Sequence, residues 1–194
     1  MAVRALLLAV AVILLAGCGG NDGTATTTAT TGVTTTGAAA TTPAGPEGAS
    51  TTPVTWKSDL GKTALLTAVR AASHDGYDRI VFEFRNGVPG YAVRYGERPI
   101  RADGSGEPVA VAGGAVLLVR MEPALDADLT QESAPRTYTG PTRLRPDTTA
   151  VAELVRTGGF ESVLTWAVGV DERHPFRVTH LENPARIVID VATP

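Results

Sequence analysis

Two short segments constrain this fold most, because their apolar and polar residues alternate with a period of two. In Tyr77–Phe84, Ile80, Phe82 and Phe84 fall on one side of an extended chain, and Arg79, Val81 and Glu83 on the other. In Ser162–Val170, Leu164, Trp166, Val168 and Val170 alternate with Val163, Thr165, Ala167 and Gly169. This alternation suits a strand packed on one face, whereas a helix would scatter the same residues around its circumference. Turn-forming residues punctuate the region: His74-Asp75-Gly76, Asn86-Gly87, Gly113-Gly114, Gly158-Gly159 and the polar stretch Asp171–Pro175. Asn86-Gly87 is the strongest hairpin signal among them, because both residue types tolerate positive φ; it predicts that Tyr77–Phe84 turns back into Gly90–Tyr95.

Further strands are expected at Thr63–Ala71, Val109–Val111, Ala115–Met121, Val151–Thr157, Phe176–Leu181 and Ala185–Val191. The string AVAELVR, which begins at Ala150, also fits the start of a helix, with Gly158-Gly159 ending either element. Glu122–Pro146 reads as a long irregular loop with at most one helical turn near Asp126. The predicted fold is all-β and mainly antiparallel: a β-sandwich or open barrel with a long irregular loop and at most one short helix.

The chain ahead of these strands has a different character. Arg4 precedes an unbroken apolar run from Ala5 to Ala16, too short to cross a bilayer (which takes ~20 residues) but suited to a secretory leader. The run ends in Leu15-Ala16-Gly17-Cys18, which resembles the bacterial lipobox. That resemblance implies cleavage before Cys18, a diacylglyceryl group on its thiol and acylation of the new amine. Several acyl chains give durable membrane attachment where one is marginal. Cys18 is the chain's one cysteine, so no disulfide or cysteine metal site is available to the domain, which must be held by its apolar core. Gly19–Pro53 is rich in Thr, Ala, Gly and Pro, with no aromatic residue and little charge; such a stretch cannot bury enough surface to offset its ordering entropy. It reads as a tether that could reach about 110 Å in polyproline form or about 35 Å as a flexible coil. The expected organisation is a signal peptide at 1–17, a lipidated cysteine and tether at 18–55, and a β domain at 56–194.

The formal net charge of -3 gives no electrostatic footprint for nucleic acid. The end of the chain carries the string L-x-N-P-x-R-I-V-I-D-V from Leu181 to Val191, and Gly76-Tyr77-Asp78-Arg79-Ile80-Val81-Phe82-Glu83-Phe84 echoes it upstream. Together with Phe160–Val170 and the lipobox, these strings resemble the AMIN-like domain of actinobacterial lipoproteins, related to the AMIN domain found beside cell-wall amidases. The resemblance implies a β-sandwich that binds or localises to the cell wall without catalysis of its own. No amidase sequence follows here, so no partner enzyme is implied.

A site for wall polymer would combine aromatic platforms with arginine forks. The candidates are Arg79, Tyr91, Arg94, Tyr138 and Arg186. Tyr91 and Tyr95 should share one face of a strand and Arg94 the other; Tyr138 is expected to be exposed in the loop, and Trp166 to be core. Arg186 and Asp190 are four apart, as are Arg79 and Glu83, so each pair shares a strand face and could form a charge-assisted bond. No metal site or cofactor is expected: His74 with Asp78, or His174 with His180, lacks metal-ligand spacing, and all three histidines read as surface residues. Gly104-Ser105-Gly106 lacks the frame of a nucleophile elbow, and Asp126 and Asp128 lack an apolar frame that would raise a carboxylate pKa, so no catalytic residues are assigned. The favoured reading is a non-catalytic envelope lipoprotein whose domain binds peptidoglycan or an envelope protein. A small-molecule or lipid carrier, which would need an apolar cavity, and an envelope enzyme, which would need a cleft built from the Glu122–Pro146 loop, are the alternatives.

Overall fold

The computed structural model describes residues 45–194; the leader, Cys18 and most of the tether lie outside the described residues. Eleven strands follow in chain order among them: β1 (Val54–Trp56), β2 (Ala64–His74), β3 (Tyr77–Arg85), β4 (Gly90–Gly96), β5 (Ala115–Glu122), β6 (Ala124–Leu125), β7 (Arg143–Leu144), β8 (Val151–Phe160), β9 (Val163–Val170), β10 (Phe176–Glu182) and β11 (Ala185–Ala192). They form a six-stranded sheet, in the order β1-β4-β5-β9-β8-β7, and a five-stranded sheet, in the order β10-β11-β3-β2-β6. Every pairing is antiparallel except that of β2 with the two-residue β6. The all-β sandwich expected from the alternation is therefore the fold, and no helix occurs among the described residues.

The two alternating segments face each other across the core. Ile80, Phe82 and Phe84 of β3 meet Leu164, Trp166, Val168 and Val170 of β9 in one buried cluster. Trp166 is fully buried, with Phe82 and Tyr138 edge-on to its ring at 5.9 Å each. Tilted aromatic pairs of this kind add to the area term by placing ring edges on ring faces. The two strings that carry the family resemblance are neighbouring strands: β3 and β11 pair in register, with Arg79 opposite Asp190 and Phe82 opposite Ile187.

Several local expectations change in the folded chain. Asn86 (φ 71°) and Gly87 (φ 117°) are left-handed, as their types suggested, but they do not close a hairpin. Strand β3 pairs with β2 and β11, and β4 with β1 and β5, so this turn carries the chain from one sheet to the other. Turn chemistry is local, whereas strand pairing depends on which partners cover each apolar face. Gly158-Gly159 does not end β8: the strand continues to Phe160 and absorbs irregularities near Val151 and Arg156. The AVAELVR string is strand, with no helical part. Val109–Val111 forms no strand, although Val109 N–H donates to Ile100 O at 2.8 Å. Asp126 lies not in a helical turn but beside a bridge between Ala127 and Arg136.

Residues 45–55, assigned to the tether by composition, belong to the folded unit. Ser50 and Phe176 exchange two backbone hydrogen bonds of 3.0 and 2.9 Å. Gly45 sits so close to Ala192 that an added Cβ would lie 2.7 Å from the Ala192 Cβ. A stretch held by backbone bonds and close approach shows no apolar period, so composition placed the boundary too late.

Asp78 ties the two sheets together. It is fully buried on β3, and its carboxylate accepts hydrogen bonds from the Ser73 hydroxyl (2.6 Å) and from the N–H groups of Thr149 (3.3 Å), Ala150 (2.6 Å) and Val151 (2.9 Å). The last three lead into β8 of the opposite sheet. Removing the carboxylate would leave these donors unsatisfied in a dry site, each at about 1–3 kcal/mol. Asp78→Ala is expected to lower the unfolding free energy by about 3 kcal/mol or more, read as a reduced midpoint in urea; a change below about 1 kcal/mol would contradict this role.

Candidate functional site

The five candidate residues occupy three separate places. Tyr91 and Tyr138 are core residues, 6% and 4% exposed. Tyr138 corrects the expectation of an exposed loop aromatic: its ring packs on Trp166 and its hydroxyl donates to Pro141 O at 2.7 Å. Burial pushes the phenols of both tyrosines above their ordinary pKa. Tyr91 has Tyr95 on its own face and Arg94 on the other, as the alternation implied, and its hydroxyl lies 3.3 Å from His180 Nδ1. Trp56 covers that histidine, with ring centroids 4.2 Å apart.

Arg79 and Arg186 lie on the outer face of the five-stranded sheet. The four-apart pairs do not form. Asp190 is bound instead by Arg79 across β3 (2.7 and 3.0 Å) and by Arg177 across β10 (2.8 Å). Glu83 pairs with Arg70 at 2.5 Å, and Arg186 reaches, among the described residues, only Pro184 O at 3.3 Å. Residues directly opposite on neighbouring strands are ~5 Å apart, while residues four apart along one strand are ~13 Å apart, so cross-strand partners win. Burial opposes the charge on Asp190, but the Arg79 and Arg177 bonds outweigh it and hold the carboxyl below its ordinary pKa.

Among the histidines, His174 corrects the surface reading. It is buried, and its Nε2 lies 2.7 Å from Asp171 Oδ1. No group of three His, Cys, Asp or Glu side chains converges as a metal set among the described residues. The Glu122–Pro146 loop is tied down: Asp126 is paired with Arg136 (3.2 Å) and Arg156 (3.0 Å), and the Thr137 hydroxyl donates to Leu66 O at 2.8 Å.

Only Arg94 opens onto a sizeable cleft, which lies on the outer face of the six-stranded sheet. The residues of this face form rows across the strands. One row runs Ala92, Arg120, Thr165 and Gly158; the next runs Arg94, Leu118, Ala167 and Val155. The segment 97–112 lies over part of this face, where Ile100 and Val111 bury Val116, Val155 and Ala167 in a second apolar cluster. Gly169 lets it approach, since an added Cβ would overlap the Ala112 carbonyl. Arg98 holds its far end through Val111 O (2.8 Å) and Gly113 O (2.7 Å). The uncovered part of the face is an open cleft of about 520 Å³, walled by Arg94, Arg120, Asp103, Phe160 and Glu161. A hollow of about 310 Å³ beside Trp56 and Tyr91 shares Ala92 and Arg120 with it.

The AMIN-like domain family model matches residues 64–193. The chain belongs to the AMIN-like domain family. No curated protein and no solved structure matches it. The match spans β2 to β11 and thus includes the five-stranded sheet, the six-stranded sheet apart from β1, and the cleft.

Within this AMIN-like domain, Arg120, Asp103 and Phe160 escaped the sequence reading. Within Ala115–Met121 the period places Leu117, Val119 and Met121 inside and Val116, Leu118 and Arg120 outside. That alternation was the available signal for Arg120. Asp103 carried none, because it reaches the cleft through segment 97–112.

Glu153 anchors this segment from below. It is buried, and its carboxylate holds Arg143 (2.6 Å), Arg145 (2.9 Å) and the Ala112 N–H (3.0 Å). Burial alone would raise its pKa, but the two arginines and the amide outweigh it and bring the carboxyl from 4.5 down to about 2. A depressed folded pKa means that the stabilisation is complete above the unfolded value and is lost as pH falls toward the folded one. The full linkage is roughly 3 kcal/mol, of which about 2 kcal/mol should be gone at pH 3. Urea unfolding at pH 6 and pH 3 should show this loss, and Glu153→Gln should flatten the difference by a similar amount; an unchanged pH response in the variant would refute the assignment.

Proposed function

We propose that this chain is a non-catalytic binding module of the cell envelope, anchored to the extracytoplasmic face of the membrane by lipid on Cys18, with its outer-sheet cleft engaging peptidoglycan. Membership of the AMIN-like family supports an envelope-associated binding role. The observation that carries the choice of surface is the run of two hollows across one sheet face, sharing Ala92 and Arg120. An open groove of this kind accommodates an extended polymer, whereas a small-molecule carrier needs an enclosed apolar cavity. The space between the sheets is instead filled by Trp166, Phe82, Phe176 and their neighbours.

The binding reading also draws support from the buried carboxylates. Asp78, Asp190, Glu153 and Asp126 are held by backbone amides or arginines, which suits structural anchors better than proton-transfer groups.

The chain purified in detergent from its cells should be retained on insoluble peptidoglycan sacculi. Arg94→Ala combined with Arg120→Ala should weaken retention about tenfold or more, while Arg85→Ala, away from the cleft, should leave it unchanged. Retention no greater than on an inert particle would sink the polymer reading. Cys18→Ser should move the chain from the membrane fraction to the aqueous fraction after detergent phase separation; a variant still in the membrane fraction would refute the anchor.

A further inference from the structure

The charges around the cleft are of both signs, and several have no ion-pair partner. Arg94 forms no ion pair among the described residues, and neither do Asp103 and Glu161. Arg120 pairs with the exposed Glu122 at 2.6 Å, along its own strand, rather than with any acid across the cleft. Six charged side chains line the cleft, three of each sign, with Glu97 and Arg101 contributed by segment 97–112. Arg94 and Arg120 come from β4 and β5; Asp103 and Glu161 lie on the β8–β9 side. Asp103 is fixed there: its carboxylate accepts the Thr165 hydroxyl, and its N–H donates to Thr157 O at 2.9 Å. Gly158 makes room, since an added Cβ would overlap the Asp103 carboxylate. Thr165 is directly opposite Arg120, so Arg120 and the Asp103 that Thr165 binds stand one to two strand spacings apart, about 5–10 Å.

The cleft also has an apolar rim. Phe160 is 68% exposed, among the few large apolar side chains in that state. It stands at the end of a two-residue hairpin turn in which Glu161 (φ 49°) and Ser162 (φ 62°) are both left-handed, although neither is glycine or asparagine. Backbone strain of this kind persists where the surroundings impose it, and it concentrates at functional surfaces. A polyanion or a polycation would meet three like charges in this cleft as well as three opposite ones. A ligand carrying both a carboxylate and an ammonium group can set the first beside Arg94 and Arg120 and the second beside Asp103 and Glu161.

We propose that the cleft takes a short zwitterionic peptide, its carboxylate on Arg94 and Arg120, its ammonium group facing Asp103 and Glu161, and its aliphatic part against Phe160. This rests on the wall-polymer reading and assigns recognition to the peptide stems of peptidoglycan rather than to its glycan strands. A volume of about 520 Å³ is in the range of small-ligand sites and fits a few residues rather than a long segment.

The test uses the full chain in detergent on four matrices: intact sacculi, sacculi with their amines acetylated, sacculi with their carboxylates amidated, and glycan strands stripped of peptide. Retention should be strong on intact sacculi, fall at least tenfold after either chemical modification, and vanish on stripped glycan. Glu161→Gln, at an exposed turn, should weaken binding to intact sacculi severalfold and reduce the further loss on acetylation. Arg94→Gln should do the same for amidation. Equal retention on stripped glycan or on modified sacculi overturns the peptide assignment while leaving the wall reading in place. Failure to bind intact sacculi overturns both.

Discussion

The arrangement of this sandwich depends on one buried carboxylate. Asp78 leaves the central strand of the five-stranded sheet and binds the backbone entering β8 of the other sheet, with both oxygens engaged. Apolar cores resist separation but tolerate sliding, because burial has no direction. A buried anion bound to three consecutive N–H groups is directional, and it sets the register of one sheet against the other. The next residue along, Arg79, turns to the outer face and binds Asp190 on β11. Two neighbouring positions of one strand thus fix the between-sheet and within-sheet geometry.

The same logic of cross-strand partners shapes the outer surfaces. On the five-stranded sheet, Asp190 lies between Arg79 and Arg177 on the strands either side. Asp190 is thereby satisfied internally, while Arg186 on the same face forms no ion pair among the described residues. On the six-stranded sheet, β4, β5 and β9 present a mixed outer face, half of it covered by segment 97–112. The covered half is apolar and anchored below by Glu153. The open half keeps charges of both signs without ion-pair partners across the cleft. The six-stranded face is thus the one that combines a cleft with charges of both signs.

Legibility varied with the range of the interaction concerned. The alternation in Tyr77–Phe84 and Ser162–Val170 announced both core strands and their buried faces, because side-chain period is local. Asn86-Gly87 announced its backbone conformation for the same reason but misdirected the pairing. Tyr138 read as exposed because its surroundings are polar in sequence; only the fold brings Trp166 beside it. Of the five arginines and tyrosines picked as binding candidates, Arg94 alone faces the cleft. Its companions Arg120 and Phe160 sit on strands, where period could have marked at least the first, while Asp103 arrives through an irregular segment with no pattern to read.

The sequence by itself determined that the domain is all-β and mainly antiparallel, because period-two burial and turn chemistry are written residue by residue, and its AMIN-like character came from the resemblance carried by Gly76–Phe84 and Leu181–Val191. It also held the charged positions, but not their partners. Arg79 could as well have met Glu83 as Asp190 until the strands were paired. Only the tertiary structure decided that Asp190 is enclosed by two arginines, that residues 45–55 join the sandwich, and that Arg94, Arg120, Asp103 and Phe160 surround one cleft. Those outcomes depend on which strands become neighbours, and that choice is made by the packing of whole faces rather than by any local stretch of chain.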